Sequence, residues 1–137
     1  MNYRLMFIIN AIGLALFGAL FLVMPEFTLK LFDTETYAAT LFVARFLGGV
    51  MIMAGVFIWL AKELNDARME KTMVIMLLTS SVVGFVLTLV GIVAFNVIRA
   101  NGWVLLVVHA LFVLGYGYLL SGVAIVPKNQ QQYRQSP

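Results

Sequence analysis

Four long apolar stretches decide what this chain of 137 residues can fold into. They cover about 5–24, 37–61, 72–97 and 103–126. Each is long enough to cross the hydrocarbon core of a bilayer as a helix, which takes about 20 mostly apolar residues. A transmembrane β-strand would need only about 10 residues in strict alternation, a pattern that these stretches lack. The sequence therefore predicts an all-α protein, an antiparallel bundle of four transmembrane helices.

The composition also indicates that the chain folds in a lipid bilayer. Hydrophobic residues make up 63% of the chain and charged residues only 11%, whereas an ordinary soluble domain has about 25% charged residues. A soluble chain of this length cannot bury so much apolar surface. The net charge of +3 is spread between the apolar stretches, an arrangement typical of topology signals and not of a nucleic-acid surface. We expect the lipid bilayer as a partner and no nucleic acid.

The four stretches are predicted to form one transmembrane domain, residues 1–126, followed by a polar, flexible cytoplasmic tail, residues 127–137. The first stretch is expected to be retained, because it is long for a signal peptide and lacks a clear small-x-small cleavage site. The loop "PEFTLKLFDTE" starts with proline and alternates apolar with polar residues. That pattern predicts a short helix lying on the membrane surface.

The positions of lysine and arginine predict the orientation, because short cytoplasmic loops carry an excess of these residues. One side of the four-helix arrangement holds Lys30 and Arg99, whereas the other side holds a larger set. The larger set is Arg4, Lys62, Arg68, Lys71, Lys128 and Arg134. Both termini are therefore predicted to be cytoplasmic.

Arg45 is the one charged residue inside the four apolar stretches. Helical neighbours lie three, four and seven positions apart, which places Arg45 at the head of a face of glycines. Small residues mark close helix contacts in membranes, and charges in a membrane usually face the protein interior. We therefore expect Arg45 to face a neighbouring helix. The predicted helix-packing positions are Gly48, Gly49, Gly55, Gly84 and Gly91.

Two roles for Arg45 stay open. Side chains on a helix lean toward its N-terminus, so the long arginine stem can reach the outer interface. There it would form an ion pair with an acid of the outer loop, for which Glu26, Asp33 and Glu35 are the candidates. In the second role, Arg45 binds an anion, a lipid headgroup or another polar ligand.

His109, Thr88 and Tyr116 complete the candidate ligand-binding set. Counting along the helices places Arg45, Thr88 and His109 in one layer of the outer half, provided that the bundle is compact. His109 and Tyr116 share a helix face. The histidine is either a hydrogen-bonded packing residue or a proton carrier, with Tyr116 and Arg45 as partners for a relay. Thr88, Ser80 and Ser81 are expected to satisfy their hydroxyls on their own helix.

Several classes of function lose support from the residues that the sequence lacks. The chain has no cysteine, which excludes disulfides, thiol redox chemistry and thiolate metal sites. No acid lies inside an apolar stretch, which argues against a proton-coupled exporter of the small four-helix multidrug kind. No phosphate loop, zinc motif or Ser/His/Asp set is present. We predict no catalytic residue, no metal and no cofactor, and leave lipid or quinone open as a ligand between the helices.

The stretch "ARFLGGVMIMAGVFIWLAKE", with "VMPEFTLKLF" before it, resembles small bacterial four-helix membrane proteins of the DoxX-like and uncharacterised kind. The resemblance covers the first two apolar stretches and rests on a proline-led outer loop, an Ala-Arg pair and glycines. It implies a four-helix bundle in the bacterial inner membrane. DoxX-like proteins include subunits associated with quinone-linked oxidoreductases.

Together these features predict a non-catalytic membrane interaction protein. It would be an accessory subunit of a larger membrane complex or a small self-associating scaffold, holding lipid or quinone between its helices. Its protein partners would be other membrane subunits or further copies of itself in a homo-oligomer. The alternative is a transporter or channel for a small or anionic solute, with Arg45 as the selectivity charge. A third hypothesis is a redox membrane enzyme that borrows a cofactor.

Overall fold

The computed structural model describes residues 3–63 and 66–124. These residues form five helices, α1 (Tyr3–Val23), α2 (Pro25–Leu31), α3 (Ala38–Ala61), α4 (Ala67–Val93) and α5 (Gly102–Ala124). Four of them, all except α2, are long and apolar enough to cross a membrane. The prediction of an all-α, multi-pass membrane protein is confirmed at this level. The predicted tail, residues 127–137, lies outside the described residues.

Local chemistry explains where two of the helices, α2 and α4, begin. Pro25 occupies the start of α2, where its fixed φ suits a helix and its missing N–H is not needed. Asp66 caps α4, because its carboxylate accepts hydrogen bonds from the backbone N–H groups of Arg68 at 2.7 Å and Met69 at 3.2 Å. Such a cap satisfies donors that have no partner inside the helix. The helix α4 therefore begins at Ala67, directly after this cap, and not near residue 72, where the apolar stretch begins.

Helices α1 and α3 run antiparallel and pack along their length. Glycines let the two backbones touch. A Cβ atom on Gly48 would lie 2.6 Å from the carbonyl oxygen of Gly18, and one on Gly55 would lie 2.9 Å from the carbonyl oxygen of Ala11. Both distances are shorter than real Cβ contacts. Close backbone approach at small residues is the usual way in which membrane helices associate.

Helices α4 and α5 form the second antiparallel pair. Near the turn between them, a Cβ atom on Gly102 would lie 2.7 Å from the side chain of Ile92. Further along the pair, the ring of His109 on α5 occupies the space where Gly84 of α4 has no side chain. The described chain thus contains two helix pairs, α1 with α3 and α4 with α5.

The two pairs are joined at one end by a small apolar core, which we call the Tyr3 end. Met6 and Phe7 of α1, Ile58 of α3, Val74 of α4 and Tyr116 of α5 are all buried there. Phe7 and Tyr116 are both 0% exposed. Burial of such large side chains stabilises the contact between the pairs through the hydrophobic effect and close packing.

At the opposite end, which we call the Phe32 end, the loops join the two pairs. The backbone N–H groups of Arg99 and Ala100 donate to the carbonyl oxygen of Phe32 at 3.0 and 3.2 Å. The Asn101 amide donates to the carbonyl oxygen of Leu31 at 2.7 Å, and the Thr34 hydroxyl donates to that of Val97 at 2.8 Å. The main contact between long helices of different pairs is a limited one of α1 with α5.

Candidate functional site

A cavity of about 330 Å³ lies between the two helix pairs. All four long helices contribute to its wall. The wall is mainly apolar and contains four phenylalanines, Phe17, Phe21, Phe32 and Phe112. Helices α3 and α4 both line the cavity, yet they make no extended contact with each other. The volume falls at the lower end of the range of about 300–1,000 Å³ typical of small-molecule sites.

The polar part of the wall is uncharged. It consists of Asn10 from α1, Ser80 and Ser81 from α4, and His109 from α5, with no Asp, Glu, Lys or Arg among the described residues that line the cavity. In the described part of the chain, no group of three or more His, Asp or Glu side chains is placed to hold a metal ion. The chemistry available at this site is therefore hydrogen bonding within an apolar space.

His109 has a defined hydrogen-bonding state in this wall. Its Nδ1 lies 2.7 Å from the carbonyl oxygen of Leu105, one turn earlier in α5. Since a carbonyl oxygen only accepts, Nδ1 carries the hydrogen, and in a neutral imidazole Nε2 is then an acceptor. Nε2 lies beside Gly84 and has no hydrogen-bond partner among the described residues.

Asn10 and Tyr116 join the two helix pairs at the boundary between the cavity and the Tyr3 end. The Asn10 amide donates to the Tyr116 hydroxyl at 2.7 Å, and the Tyr116 ring stacks on Phe112 with centroids 5.9 Å apart. Sequence reasoning named Tyr116 but not Asn10 as a site residue. An asparagine in an apolar stretch is itself a signal, because polar side chains in membrane helices usually face the protein interior.

The expected polar layer of Arg45, Thr88 and His109 does not form. The Thr88 hydroxyl donates to the carbonyl oxygen of Gly84 at 2.8 Å, within α4, and Thr88 does not line the cavity. The Ser81 hydroxyl donates in the same way to Leu77 at 2.8 Å. Threonine and serine in helices commonly satisfy themselves on the preceding turn, so Thr88 is committed to its own helix.

Arg45 lies on the exposed side of α3, and not against a neighbouring helix as its glycine neighbours suggested. The residue that turns toward α1 is the preceding one, Ala44, which is 4% exposed and stands one turn before Gly48. Adjacent residues of a helix point about 100° apart, so burying Ala44 and Gly48 turns Arg45 outward. Arg45 has no hydrogen bond or ion pair with a described residue and does not line the cavity.

The five candidate packing glycines are placed differently. Gly48 and Gly55 of α3 lie against the backbone of α1, whereas Gly84 lies under the ring of His109. A Cβ atom on Gly91 would lie 3.2 Å from the Ile98 side chain. Around Gly49 there is nothing within 4 Å of such an atom. Gly49 therefore makes no close contact inside the described chain.

The three outer-loop acids do not pair with Arg45. Glu26 forms an ion pair with Lys30 at 2.7 Å, and Glu35 forms one with Arg99 at 3.5 Å. The Lys30 ammonium group lowers the pKa of Glu26 through its hydrogen bond and its charge. Asp33 sits in a left-handed turn with φ of 48°, a conformation that aspartate adopts more readily than most residues. Of these acids, Glu35 forms the ion pair that joins the loop before α3 to the loop before α5.

Acidification is expected to weaken the Phe32 end. The Tyr37 hydroxyl, and after it the Arg99 guanidinium, hold the pKa of Glu35 below its ordinary value of 4.5. A carboxylate with a lowered pKa stabilises the fold above that ordinary value, and this stabilisation is lost as the pH falls through the lower folded pKa. The melting temperature in detergent should therefore fall between about pH 5 and about pH 3 more in the wild type than in Glu35→Gln. An equal fall in melting temperature in both proteins would show that the Glu35 carboxylate does not stabilise the fold.

Comparison with known protein families assigns the chain to one family. The profile of a family described as Domain of unknown function (DUF8292) matches residues 8–135. The chain belongs to this family. The match covers α2 to α5 in full and α1 from residue 8 onward. No curated protein and no solved structure matched the chain, and none of these comparisons links it to the DoxX-like proteins.

Proposed function

We propose that this chain is a non-catalytic integral membrane protein that binds lipid or quinone in the cavity between its helix pairs. The observation that carries the proposal is the cavity itself, with its volume of about 330 Å³, its phenylalanine-rich wall and its few uncharged polar groups. Small-molecule sites are typically concave and apolar, with a small number of placed polar groups. Because α3 and α4 make no extended contact with each other, a ligand would enter between them from the bilayer without passage through water.

In this proposal the two helix pairs form an antiparallel four-helix bundle around the ligand, with both chain termini in the cytoplasm. The support is the distribution of basic residues. Arg4, Lys62, Arg68 and Lys71 lie toward the Tyr3 end, and Lys30 and Arg99 lie toward the Phe32 end. An excess of Lys and Arg marks the cytoplasmic side. The resemblance to bacterial four-helix proteins supports a bacterial inner membrane.

A role as an accessory subunit or a self-associating scaffold belongs to the same proposal. Gly49 supports it, because this small position on α3 is open within the chain and small residues let another membrane helix approach closely. Native mass spectrometry of protein extracted gently from its own membrane separates the two roles. Other chains in a reproducible assembly would indicate an accessory subunit, and further copies of this chain would indicate a scaffold.

The transporter hypothesis receives no support from the geometry. A selectivity charge has to line the path of the solute, whereas Arg45 lies on the exposed side of α3 and away from the cavity wall. A ligand site that is apolar and uncharged also suits an anion poorly, because an unpaired charge in an apolar space is strongly unfavourable. We therefore retain ligand binding as the function.

Filling the cavity tests the proposal directly. Gly13 lines the cavity, and a Cβ atom there meets nothing within 4 Å, so a leucine side chain enters the space without striking a backbone. Wild-type protein from its own membrane should carry a molecule of defined mass in native mass spectra. In Gly13→Leu its occupancy should fall by about tenfold or more, which corresponds to a loss of about 1.4 kcal/mol in binding free energy.

Gly117→Leu is the matched control. Gly117 lies on α5, where a Cβ atom also meets nothing within 4 Å, but it does not line the cavity. This variant should keep both the ligand and the unfolding midpoint of the wild type. The proposal fails if wild-type protein carries no defined molecule, or if Gly13→Leu keeps as much of it as Gly117→Leu does.

A further inference from the structure

We infer that the ligand of the cavity is an uncharged amphiphile whose hydroxyl group donates a hydrogen bond to Nε2 of His109. The inference rests on the proposed function and names the chemical class of molecule that the site would take. It follows from three properties of the cavity, namely its lack of charge, the free acceptor on His109 and its size.

The lack of charge excludes ionic headgroups. The polar side chains of the described wall are Asn10, Ser80, Ser81 and His109, and no acidic or basic residue joins them. Arg45, the charged residue of the apolar stretches, is on the exposed side of α3. A phosphate, carboxylate or ammonium group inside this wall would lose its water without gaining a counter-charge, which is strongly unfavourable. The polar group of the ligand is therefore neutral.

The free acceptor on His109 selects a hydrogen-bond donor. Nδ1 is committed to the carbonyl oxygen of Leu105 at 2.7 Å, so Nε2 of the neutral ring presents a lone pair. No described residue donates to that nitrogen, and no described side-chain N or O atom is both fully buried and unpaired. Nε2 is thus not fully buried, and His109 lines the cavity. A ligand hydroxyl can donate a hydrogen bond to this lone pair. A ligand carbonyl cannot, because its oxygen and Nε2 are both acceptors.

The remaining polar groups fit a hydroxyl as well. The Ser81 hydroxyl is used within α4, where it donates to Leu77. The Asn10 amide nitrogen donates to Tyr116 and has a second hydrogen, since an amide carries two donors. Asn10 and Ser80 therefore provide further hydrogen-bond donors in the same cavity wall as His109.

The size of the cavity limits the part of the ligand that it encloses. A volume of about 330 Å³ lies at the bottom of the range for ligand sites and suits a ring-sized head and not a whole lipid. Met51 and Ala54 of α3 and Ser80 of α4 line the cavity, and these two helices make no extended contact with each other. An apolar tail can pass between them into the bilayer. A phenol or a hydroquinone with an alkyl or isoprenoid tail has this shape.

The test compares two probes of equal shape, para-octylphenol and para-octyltoluene, in which a methyl group replaces the hydroxyl. Each is partitioned between lipid nanodiscs that hold the protein and empty nanodiscs. Wild-type protein should prefer the phenol over the toluene by about tenfold, the effect of one well-made hydrogen bond. His109→Leu should bind both probes equally, and His109→Gln, which keeps an acceptor, should retain part of the preference.

The outcomes separate this inference from the proposed function. Binding of both probes by wild-type protein with no preference would overturn the hydroxyl donor and leave the cavity as a ligand site. A preference that persists in His109→Leu would overturn the role of His109. Failure of both probes to exceed empty nanodiscs would overturn the proposed function along with the inference. If His109→Leu does not fold, the test uses the preference of the wild type for the phenol over the toluene and the decrease of that preference in His109→Gln. An unchanged preference in His109→Gln would then overturn the role of His109.

Discussion

Substitution of Gly48 by alanine is expected to lower the free energy of unfolding by about 3 kcal/mol, at the upper end of the usual range for overpacked interiors. The added Cβ atom would lie 2.6 Å from the carbonyl oxygen of Gly18, 2.6 Å from the amide nitrogen of Leu22 and 3.0 Å from the carbonyl carbon of Phe21. All three are backbone atoms, which cannot rotate away as a side chain does. Helices α1 and α3 must therefore separate and lose dispersion contacts along their interface.

Gly49→Ala is the matched control, because it places the same methyl group one residue further along the same helix. Nothing lies within 4 Å of that position, and alanine is better than glycine inside a helix by about 1 kcal/mol. This variant should be neutral or stabilised. Both proteins can be unfolded in detergent micelles by added dodecyl sulfate and followed by circular dichroism. Equal midpoints for the two variants would show that backbone contact at Gly48 does not hold α1 and α3 together.

The four long helices could be predicted from the sequence because lipid burial is a property of each apolar stretch by itself. The pairing of the helices could not. Glycine and alanine faces occur on all four, and helical spacing does not say which face meets which. The pairing depends on contacts between distant residues, such as Gly18 with Gly48 in α1 and α3. It also depends on Phe32, whose carbonyl oxygen accepts hydrogen bonds from Arg99 and Ala100 in the loop between α4 and α5.

The candidate site was predictable only in part, and Arg45 shows why. Gly48 lies one turn from both Ala44 and Arg45, so spacing allowed either residue to be buried beside it. In the structure Ala44 is buried. Arg45, the next residue, therefore points about 100° away from the contact with α1. His109, by contrast, could be singled out as a lone histidine, and it does line the cavity. Its free acceptor depends on the hydrogen bond to Leu105, which only the structure shows.

Asn10→Leu is expected to lower the free energy of unfolding by about 1–3 kcal/mol, the usual effect of leaving a buried polar group unpaired. The group left behind is the hydroxyl of Tyr116, which is 0% exposed and has the Asn10 amide as its partner at 2.7 Å. Tyr116→Phe removes that hydroxyl and should cost less. In double-mutant cycles, a hydrogen bond between membrane helices contributes about 0.6 kcal/mol on average to stability.

The double variant Asn10→Leu/Tyr116→Phe completes the cycle and distinguishes a shared role from two separate ones. Since it leaves no unpaired hydroxyl, its stability should lie close to that of Tyr116→Phe alone. It should therefore exceed the additive value by about 1–3 kcal/mol, the whole cost of Asn10→Leu. All four proteins can be compared by their unfolding midpoints in the same micelles. Because Asn10 belongs to α1 and Tyr116 to α5, this coupling acts between the two helix pairs at the boundary of the cavity. Additive effects would mean that the apolar core of the Tyr3 end and the loops of the Phe32 end hold the pairs together without this hydrogen bond.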